Sequence, residues 1–287
     1  MKKVVKWSNG QMVKWLSGLV FFLTLSLYHL TTAVYSQDFS GELGEIKGTV
    51  EILKTGEEEW SPAVSEMPVQ LKDRLKAAAN SSCNLELDDG SIIYIGENTE
   101  ASVEMLELTS EKHNSKISLW FGKIIANISK SKNTKMEVHS PTAIVAVRGT
   151  EFAVETNAQK TDVGVFDGEV GVKNTEGAEI SEVTVKPDEE TSVVKGSRPR
   201  PPSRLVLMQK YKERNLRIRN RVVMLRGRLK RIPPEKRAKA RQVAYEKFQK
   251  LREKRIEQIK KNQQKRKAIK RETIKREMHE RNHHQRP

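Results

Sequence analysis

The sequence predicts an all-β domain of short strands, arranged as solenoid-like coils or a small sandwich, followed by a long basic α-helical tail. In residues 41–196 aliphatic side chains alternate with a period near two, and glycines mark the corners. From Met208 onward, apolar residues recur at spacings of three and four, as on one face of a helix. Because the chain has 287 residues, one or two domains are expected.

Charge divides the chain into an acidic body and a basic tail. From Ser203 onward there are 31 Lys and Arg against 8 Asp and Glu, whereas the preceding part has 22 against 29. The net charges are therefore +23 and −7. This asymmetry predicts that the tail contacts an anionic partner: nucleic acid, a membrane surface, a cell-wall polymer or the protein's own body.

Residues 1–36 are predicted to be a signal peptide or a retained signal anchor. Four lysines precede the run 15–30, which has no acidic or permanently charged side chain. Membrane contact through this run is expected in either case. Its centre has the length of a signal-peptide core, and small residues at Ala33 and Ser36 end candidate cleavage sites. We therefore expect a periplasmic or otherwise extracytoplasmic protein. The alternative is an inner-membrane anchor with the domain outside.

Cysteine content limits the chemistry further. Cys83 is the single cysteine, so an internal disulfide and any multi-cysteine zinc or redox motif are excluded. No cysteine lies between the hydrophobic run and Gln37, so a lipoprotein anchor is not expected there.

Turn signals organise the β domain, 41–196. Aliphatic residues alternate on both sides of Gly48, Gly122 and Gly168, and the Asp88-Asp89-Gly90 run between alternating segments predicts a tight turn. The continuous apolar run Ala143–Val147 predicts a strand that is buried on both faces.

Four segments of this domain resemble the FecR domain family, in the family's order and at similar separations. They are Leu85-Glu-Leu87-Asp-Asp89-Gly90-Ser91, Leu119-Trp-Phe121-Gly122-Lys-Ile124, Val145-Ala-Val147-Arg148-Gly149-Thr150-Glu-Phe152-Ala-Val154 and Val165-Phe-Asp-Gly168-Glu-Val170. The resemblance covers about half the chain, roughly 48–194. It implies an extracytoplasmic all-β domain associated with signal sensing or protein–protein contact, without known catalysis. The anti-sigma function of the family's namesake regulators is not carried over, because only about fourteen residues precede the hydrophobic run.

The Arg-Gly-Thr step suggests a corner of structural or contact importance. We expect Gly149 to supply a backbone conformation that a Cβ would block, and Thr150 to cap a turn. Arg148 is expected to pair with a carboxylate at a neighbouring corner, such as Asp89 or Asp167. A structural corner and a ligand-contacting loop both fit this pattern. The residues assigned to the candidate corner are Arg148, Gly149, Thr150, Asp89, Gly90 and Gly168.

A proline-rich linker, 197–203, precedes the basic helical tail, 204–287. Two helices are predicted, over 204–232 and 235–280, separated at Pro233-Pro234. The apolar stripe of the first helix predicts packing on another helix, in a hairpin with the second helix or in coiled-coil self-association through 208–232. It comprises Met208, Tyr211, Asn215, Ile218, Val222, Leu225, Leu229 and Ile232.

Several classes of function lack support in the sequence. No nucleophile elbow or phosphate-cradling glycine loop is present, so neither enzyme activity nor a cofactor is expected. His279 and His283 are spaced as metal ligands can be on a helix, but no carboxylate or cysteine completes the set, so no metal site is expected. The tail has no module for reading nucleic acid, which is therefore not the expected partner in vivo.

The sequence thus predicts an exported envelope protein whose FecR-like domain is a protein or ligand interaction or sensing module. The tail is expected to tether it to an envelope protein, to an anionic polymer or lipid surface, or to a helical partner. One alternative is a membrane-anchored signal-transduction component. Another is a nucleic-acid-associated basic protein.

Overall fold

A computed structural model describes Phe39 and residues 41–108, 113–131, 134–177 and 179–284. The predicted export segment, 1–36, lies outside these residues. The described part contains seventeen strands followed by a 3₁₀ turn and two helices, which confirms a β domain followed by helices. Neither described helix has an apolar stretch long enough to cross a bilayer.

The strands are short, with β9 as the main exception. The first nine are β1 (Gly41–Lys47), β2 (Val50–Leu53), β3 (Ser61–Pro62), β4 (Pro68–Val69), β5 (Arg74–Ala77), β6 (Ser82–Leu87), β7 (Ile92–Ile95), β8 (Thr99–Leu108) and β9 (His113–Asn127). The others are β10 (Thr134–His139), β11 (Ala143–Val147), β12 (Glu151–Thr156), β13 (Lys160–Asp167), β14 (Val170–Asn174), β15 (Glu182–Val185), β16 (Glu189–Val194) and β17 (Ser203–Arg204).

Hydrogen bonding arranges these strands in two sheets that share β9. Sheet A has the order β4-β1-β6-β7-β9-β12-β13-β16-β17, and its pairs are antiparallel. Sheet B has the order β3-β2-β5-β8-β9-β10-β11-β14-β15, in which only β9 and β10 are parallel. The first half of β9 belongs to sheet B and its second half to sheet A, so one strand joins both layers.

The glycines that the sequence marked as corners lie where the chain changes sheet. Gly48 lies between β1 and β2, Gly122 lies within β9, and Gly168 lies between β13 and β14. All three have positive φ, from 72° to 99°, which glycine adopts without the steric cost of a Cβ. The repeated glycine–aliphatic pattern therefore corresponds to repeated crossings between the two sheets.

One core lies between the sheets and receives buried aliphatic side chains from both. Leu85, Ile93 and Phe152 come from sheet A, and Leu119 and Val145 come from sheet B. The run Ala143–Val147 is buried on one face, whereas Ile144 and Ala146 on the other face are half-buried. The expectation of complete burial on both faces was therefore wrong.

A second core lies on the outer face of sheet A, where the tail covers it. Its members are Ile92, Ile125 and Ala153 from the sheet and Leu205, Met208, Tyr211, Ile218, Val222 and Leu225 from the tail. The apolar stripe thus packs on a sheet, and the expected helix partner is replaced by the protein's own β domain. Coiled-coil self-association through 208–232 would require these side chains to leave the sheet.

The tail begins with the 3₁₀ turn Met208–Tyr211 and continues as α1 (Lys212–Arg231) and α2 (Pro234–His284). Ser203–Arg204, where the sequence predicted the end of a linker and the start of a helix, instead forms β17 and pairs with β16. Between the helices, Arg237 Nη1 donates to the Ile232 carbonyl at 2.7 Å and so satisfies an acceptor near the end of α1. On α2, Phe248 is 9% exposed and packs against the main core, whereas Leu251 is 58% exposed.

Candidate functional site: the arginine–carboxylate interface

The basic tail meets the acidic body along a row of ion pairs, which we call the arginine–carboxylate interface. It consists of Arg219 with Glu151, Arg221 with Glu86, Arg228 with Glu42 and Glu86, Arg237 with Asp88, Arg241 with Glu42 and Asp88, and Arg252 with Glu57. The sequence allowed several anionic partners for the tail. The fold shows that the protein's own body is one of them.

Glu86, on β6, is central to this interface. Its side chain is 2% exposed, and each carboxylate oxygen faces a different arginine of α1. Arg221 Nη2 lies 2.7 Å from Oε1, and Arg228 Nη2 lies 2.8 Å from Oε2. Since a buried carboxylate is costly without compensation, these two arginines offset the cost of burying Glu86.

Arg241, on α2, makes the most extensively bonded contact. Its Nη1 and Nη2 donate to Asp88 Oδ2 and Oδ1 at 2.7 and 2.8 Å, the two-pronged geometry that suits a guanidinium and a carboxylate. The same side chain reaches Glu42 at 3.2 Å and the Phe39 carbonyl at 2.8 Å. Burial disfavours its charge, but the hydrogen bond with Asp88 and the charges of Asp88 and Glu42 outweigh this and raise the pKa of Arg241.

Glu151, at the start of β12, forms a third contact. Asn127 Nδ2 donates to its Oε1 at 2.9 Å, and Asn215 Nδ2 donates to its Oε2 at 2.7 Å. Arg219 adds a charged donor at 2.7 Å from Oε2. Asn215 is the polar member of the apolar stripe on α1. A polar residue stands at this position because it lies opposite Glu151 and donates a hydrogen bond to it.

The predicted corner is partly assembled by the fold. Thr150 Oγ1 donates to the Glu169 carbonyl at 3.1 Å, which joins the Gly149–Thr150 corner to the Gly168 corner. Gly149 has a φ of 64°, and a Cβ there would lie 2.8 Å from the Lys130 Cα. Arg148 is exposed and forms no ion pair with Asp89 or Asp167 in the described part of the chain, so the expected pairing was wrong: Asp167 pairs with Lys130 instead.

Asp89 and Gly90 lie instead at the turn beneath the tail. Asp89 accepts hydrogen bonds from the Ser91 amide at 2.8 Å and the Ser91 hydroxyl at 2.9 Å, which fixes the turn between β6 and β7. Burial raises the pKa of Asp89. Gly90 packs against Arg226 of α1, where a Cβ would meet the arginine side chain.

The carboxylates of the interface were not identified from the sequence. Glu42, Glu86 and Glu151 are buried or half-buried within strands. Glu86 and Glu151 fall inside the FecR-like segments, but that resemblance assigns them no partner. The usable signal was the opposite charge of body and tail, which predicts attraction without assigning the pairs.

Residues 73–171 of the chain match the FecR protein family. The resemblance to the FecR family is therefore confirmed over this segment. The FecR-like segment runs from β5 into β14 and contains Glu86, Asp88 and Glu151, whereas the tail arginines lie beyond it. No curated protein matches the chain.

Two crystal structures of a candidate anti-sigma factor from Parabacteroides distasonis are also similar. Both are 18% identical in sequence and cover 46% of this chain, with TM-scores of 0.38 and 0.37. The chain spans 59% of the length of that protein.

Proposed function

We propose that this chain is an exported, non-enzymatic protein of the cell envelope whose FecR-like domain is an interaction or sensing module. The match over residues 73–171 supports the signalling or sensing class. Export is supported by the signal-peptide pattern of the first 36 residues.

The observation that carries the proposal is the binding of the basic helices by the domain's own carboxylates. We propose that, besides the docked arrangement held by these ion pairs, the tail has a released arrangement. A ligand that binds one arrangement better than the other shifts their populations. The domain can therefore report the presence of an envelope ligand through the state of its tail.

The distal tail is the part that we propose contacts an anionic surface. Residues 256–287 contain eleven Lys and Arg against four Asp and Glu. Lys260, Lys265 and Lys270 on α2 are exposed, whereas the arginines that meet the β domain lie earlier in the tail. Basic residues of this density attract anionic lipid or polymer, at about 1 kcal/mol for each residue near a lipid surface.

Fractionation of the native host, with N-terminal sequencing and a high-salt wash, tests export and attachment together. Mature protein that begins near Val34 or Gln37 and is released by salt supports the proposal. Protein that still begins at Met1 and stays in the membrane after the wash favours the membrane-anchored signalling component. Protein that still begins at Met1 and is found in the cytoplasm contradicts export and favours the nucleic-acid-associated alternative.

A pair of variants separates the tether from export. Replacement of Lys260, Lys261, Lys265 and Lys270 by glutamine is expected to leave processing intact and to release the protein at lower salt. Replacement of Asn262, Gln263 and Gln264 by alanine changes the same segment without changing charge and should leave the salt dependence unaltered. Equal release of both variants would contradict electrostatic tethering.

A further inference from the structure

A cleft of about 350 Å³ lies between the first turns of α1 and the outer face of sheet A. Ile125 and Tyr94 contribute from the sheet, Ser82 contributes from the start of β6, and Ser81 directly precedes that strand. Hydroxyl and charged groups predominate in the lining, so the cleft suits a polar ligand more than an apolar one.

Basic side chains outnumber carboxylates around this cleft. The five basic residues are Lys47, Lys123, Lys210, Arg214 and Arg217. The carboxylates in the lining are Glu97 and Glu213. This excess of positive charge contrasts with the net negative charge of the residues before Ser203.

The existing ion pairs leave part of this positive charge uncompensated. Lys123 lies 3.1 Å from Glu97, and Lys210 lies 2.7 Å from Glu155. In the described residues no ion pair involves Lys47 or Arg214. Among the described residues, these two cations therefore form no ion pair within 4 Å, although Glu97 is near enough to Lys47 for their charges to interact.

Arg214 is held in place by an aromatic ring rather than by an acid. Its guanidinium carbon lies 4.8 Å from the centre of the Tyr94 ring, within the range of a cation–π contact. Stacking orients the planar guanidinium while its N–H groups stay available to a ligand. Such a fork matches the oxygens of a phosphate group.

We propose that this cleft binds a phosphate-bearing small molecule, with Arg214 and Lys47 as its principal contacts. The site lies at the junction of the tail and the β domain, so a bound anion would contact both and favour the docked tail. This inference deepens the proposed sensing role and rests on it for its biological meaning. The same phosphate chemistry is available from a soluble sugar phosphate or from a lipid headgroup.

Calorimetric titration of the purified chain with inorganic pyrophosphate at constant ionic strength tests the site. One saturable site is expected for the unchanged protein. Arg214→Gln should weaken binding roughly tenfold, because hydrogen bonds to charged groups are among the stronger ones. Lys230→Gln removes one charge from an exposed position at the far end of α1 and should leave the affinity unchanged.

Three outcomes would overturn the proposal: no saturable binding, equal loss in both variants, or equal affinity of Arg214→Gln and the unchanged protein. Circular dichroism of each variant confirms that the fold is retained. Displacement of pyrophosphate by glucose 6-phosphate assigns a soluble ligand, and displacement by phosphatidylglycerol vesicles alone assigns a lipid headgroup. Because the titration uses purified protein, failure of the site and failure of export remain separate results.

Discussion

Arg241 and Asp88 form a two-pronged ion pair across 153 residues of sequence, with N–O distances of 2.7 and 2.8 Å. The Arg241 side chain is 5% exposed, so its removal leaves carboxylates in a poorly solvated place. We expect Arg241→Ala to lower the free energy of unfolding by about 2–3 kcal/mol, measured by urea denaturation. This loss of stability is smaller than the usual effect of breaking a buried ion pair, because Asp88 still has Arg237 as a partner, with Nε at 3.3 Å.

Arg231→Ala is the matched control for Arg241→Ala. Arg231 is exposed, and its Nε bonds to a carbonyl of its own helix. Its replacement is expected to change the free energy of unfolding by less than about 0.5 kcal/mol. Equal destabilisation by both substitutions would show that the buried pair has no special role.

Glu86→Gln is expected to loosen the docked tail. The substitution keeps the shape of the side chain but removes the charge that faces Arg221 and Arg228. Trypsin should then cleave after these arginines roughly fivefold faster, since local opening controls access to the protease. Mass spectrometry of timed digests measures the rates. Glu246→Gln, on the exposed side of α2, should leave them unchanged, and parallel acceleration in both variants would refute the assignment.

Gly149→Ala should destabilise the corner for two separable reasons. The positive φ of 64° costs a residue with a Cβ about 1 kcal/mol or more, and the new atom would lie 2.8 Å from the Lys130 Cα. At Gly56, φ is 79° but nothing lies within 4 Å, so Gly56→Ala carries the conformational cost alone. Thermal unfolding should show a larger loss of stability for Gly149→Ala than for Gly56→Ala. Equal losses would mean that the close approach to Lys130 contributes nothing.

Acid stability should depend on Glu137. Hydrogen bonds from Lys135, at 2.8 Å, and with His139, at 2.9 Å, lower the pKa of Glu137 to about 2 from the ordinary 4.5. Because the folded pKa is the lower one, this stabilisation is present above about pH 4.5 and is lost as the pH falls towards 2. Urea midpoints of Glu137→Gln should therefore vary less over that window than those of the unchanged protein. Exposed Glu176→Gln should follow the unchanged protein; a parallel curve for Glu137→Gln would contradict the prediction.

Local patterns predicted the corners and helices because turn chemistry and helical spacing are encoded by neighbouring residues. They did not predict what the apolar stripe contacts, since spacing determines which side chains share a face but not what covers them. A usable signal was present in Ile92-Ile93, Ile124-Ile125-Ala126 and Phe152-Ala153-Val154. Consecutive apolar residues there belong to strands that are covered on both faces. The run Ala143–Val147, which has one half-buried face, shows that the same pattern does not always predict such a strand.

The pairs of arginines and carboxylates could not be predicted from local sequence patterns, for a different reason. Glu86 and Arg228 are 142 residues apart, and many combinations of acidic and basic residues satisfy the same net charges. Only the fold places α1 over β6. The corner residues show the same limit, because Thr150 and Gly168 come together whereas Asp89 and Gly90 meet the tail.

The contacts of Arg241 with the Phe39 carbonyl and Glu42 have a consequence for the order of folding. These partners are 202 and 199 residues earlier in the chain, so neither contact forms until α2 has been synthesised. Contacts of such long sequence separation close late and slow the final step of folding. Until then the part of the main core against which Phe248 packs is exposed to solvent, and the growing chain offers an apolar surface to chaperones.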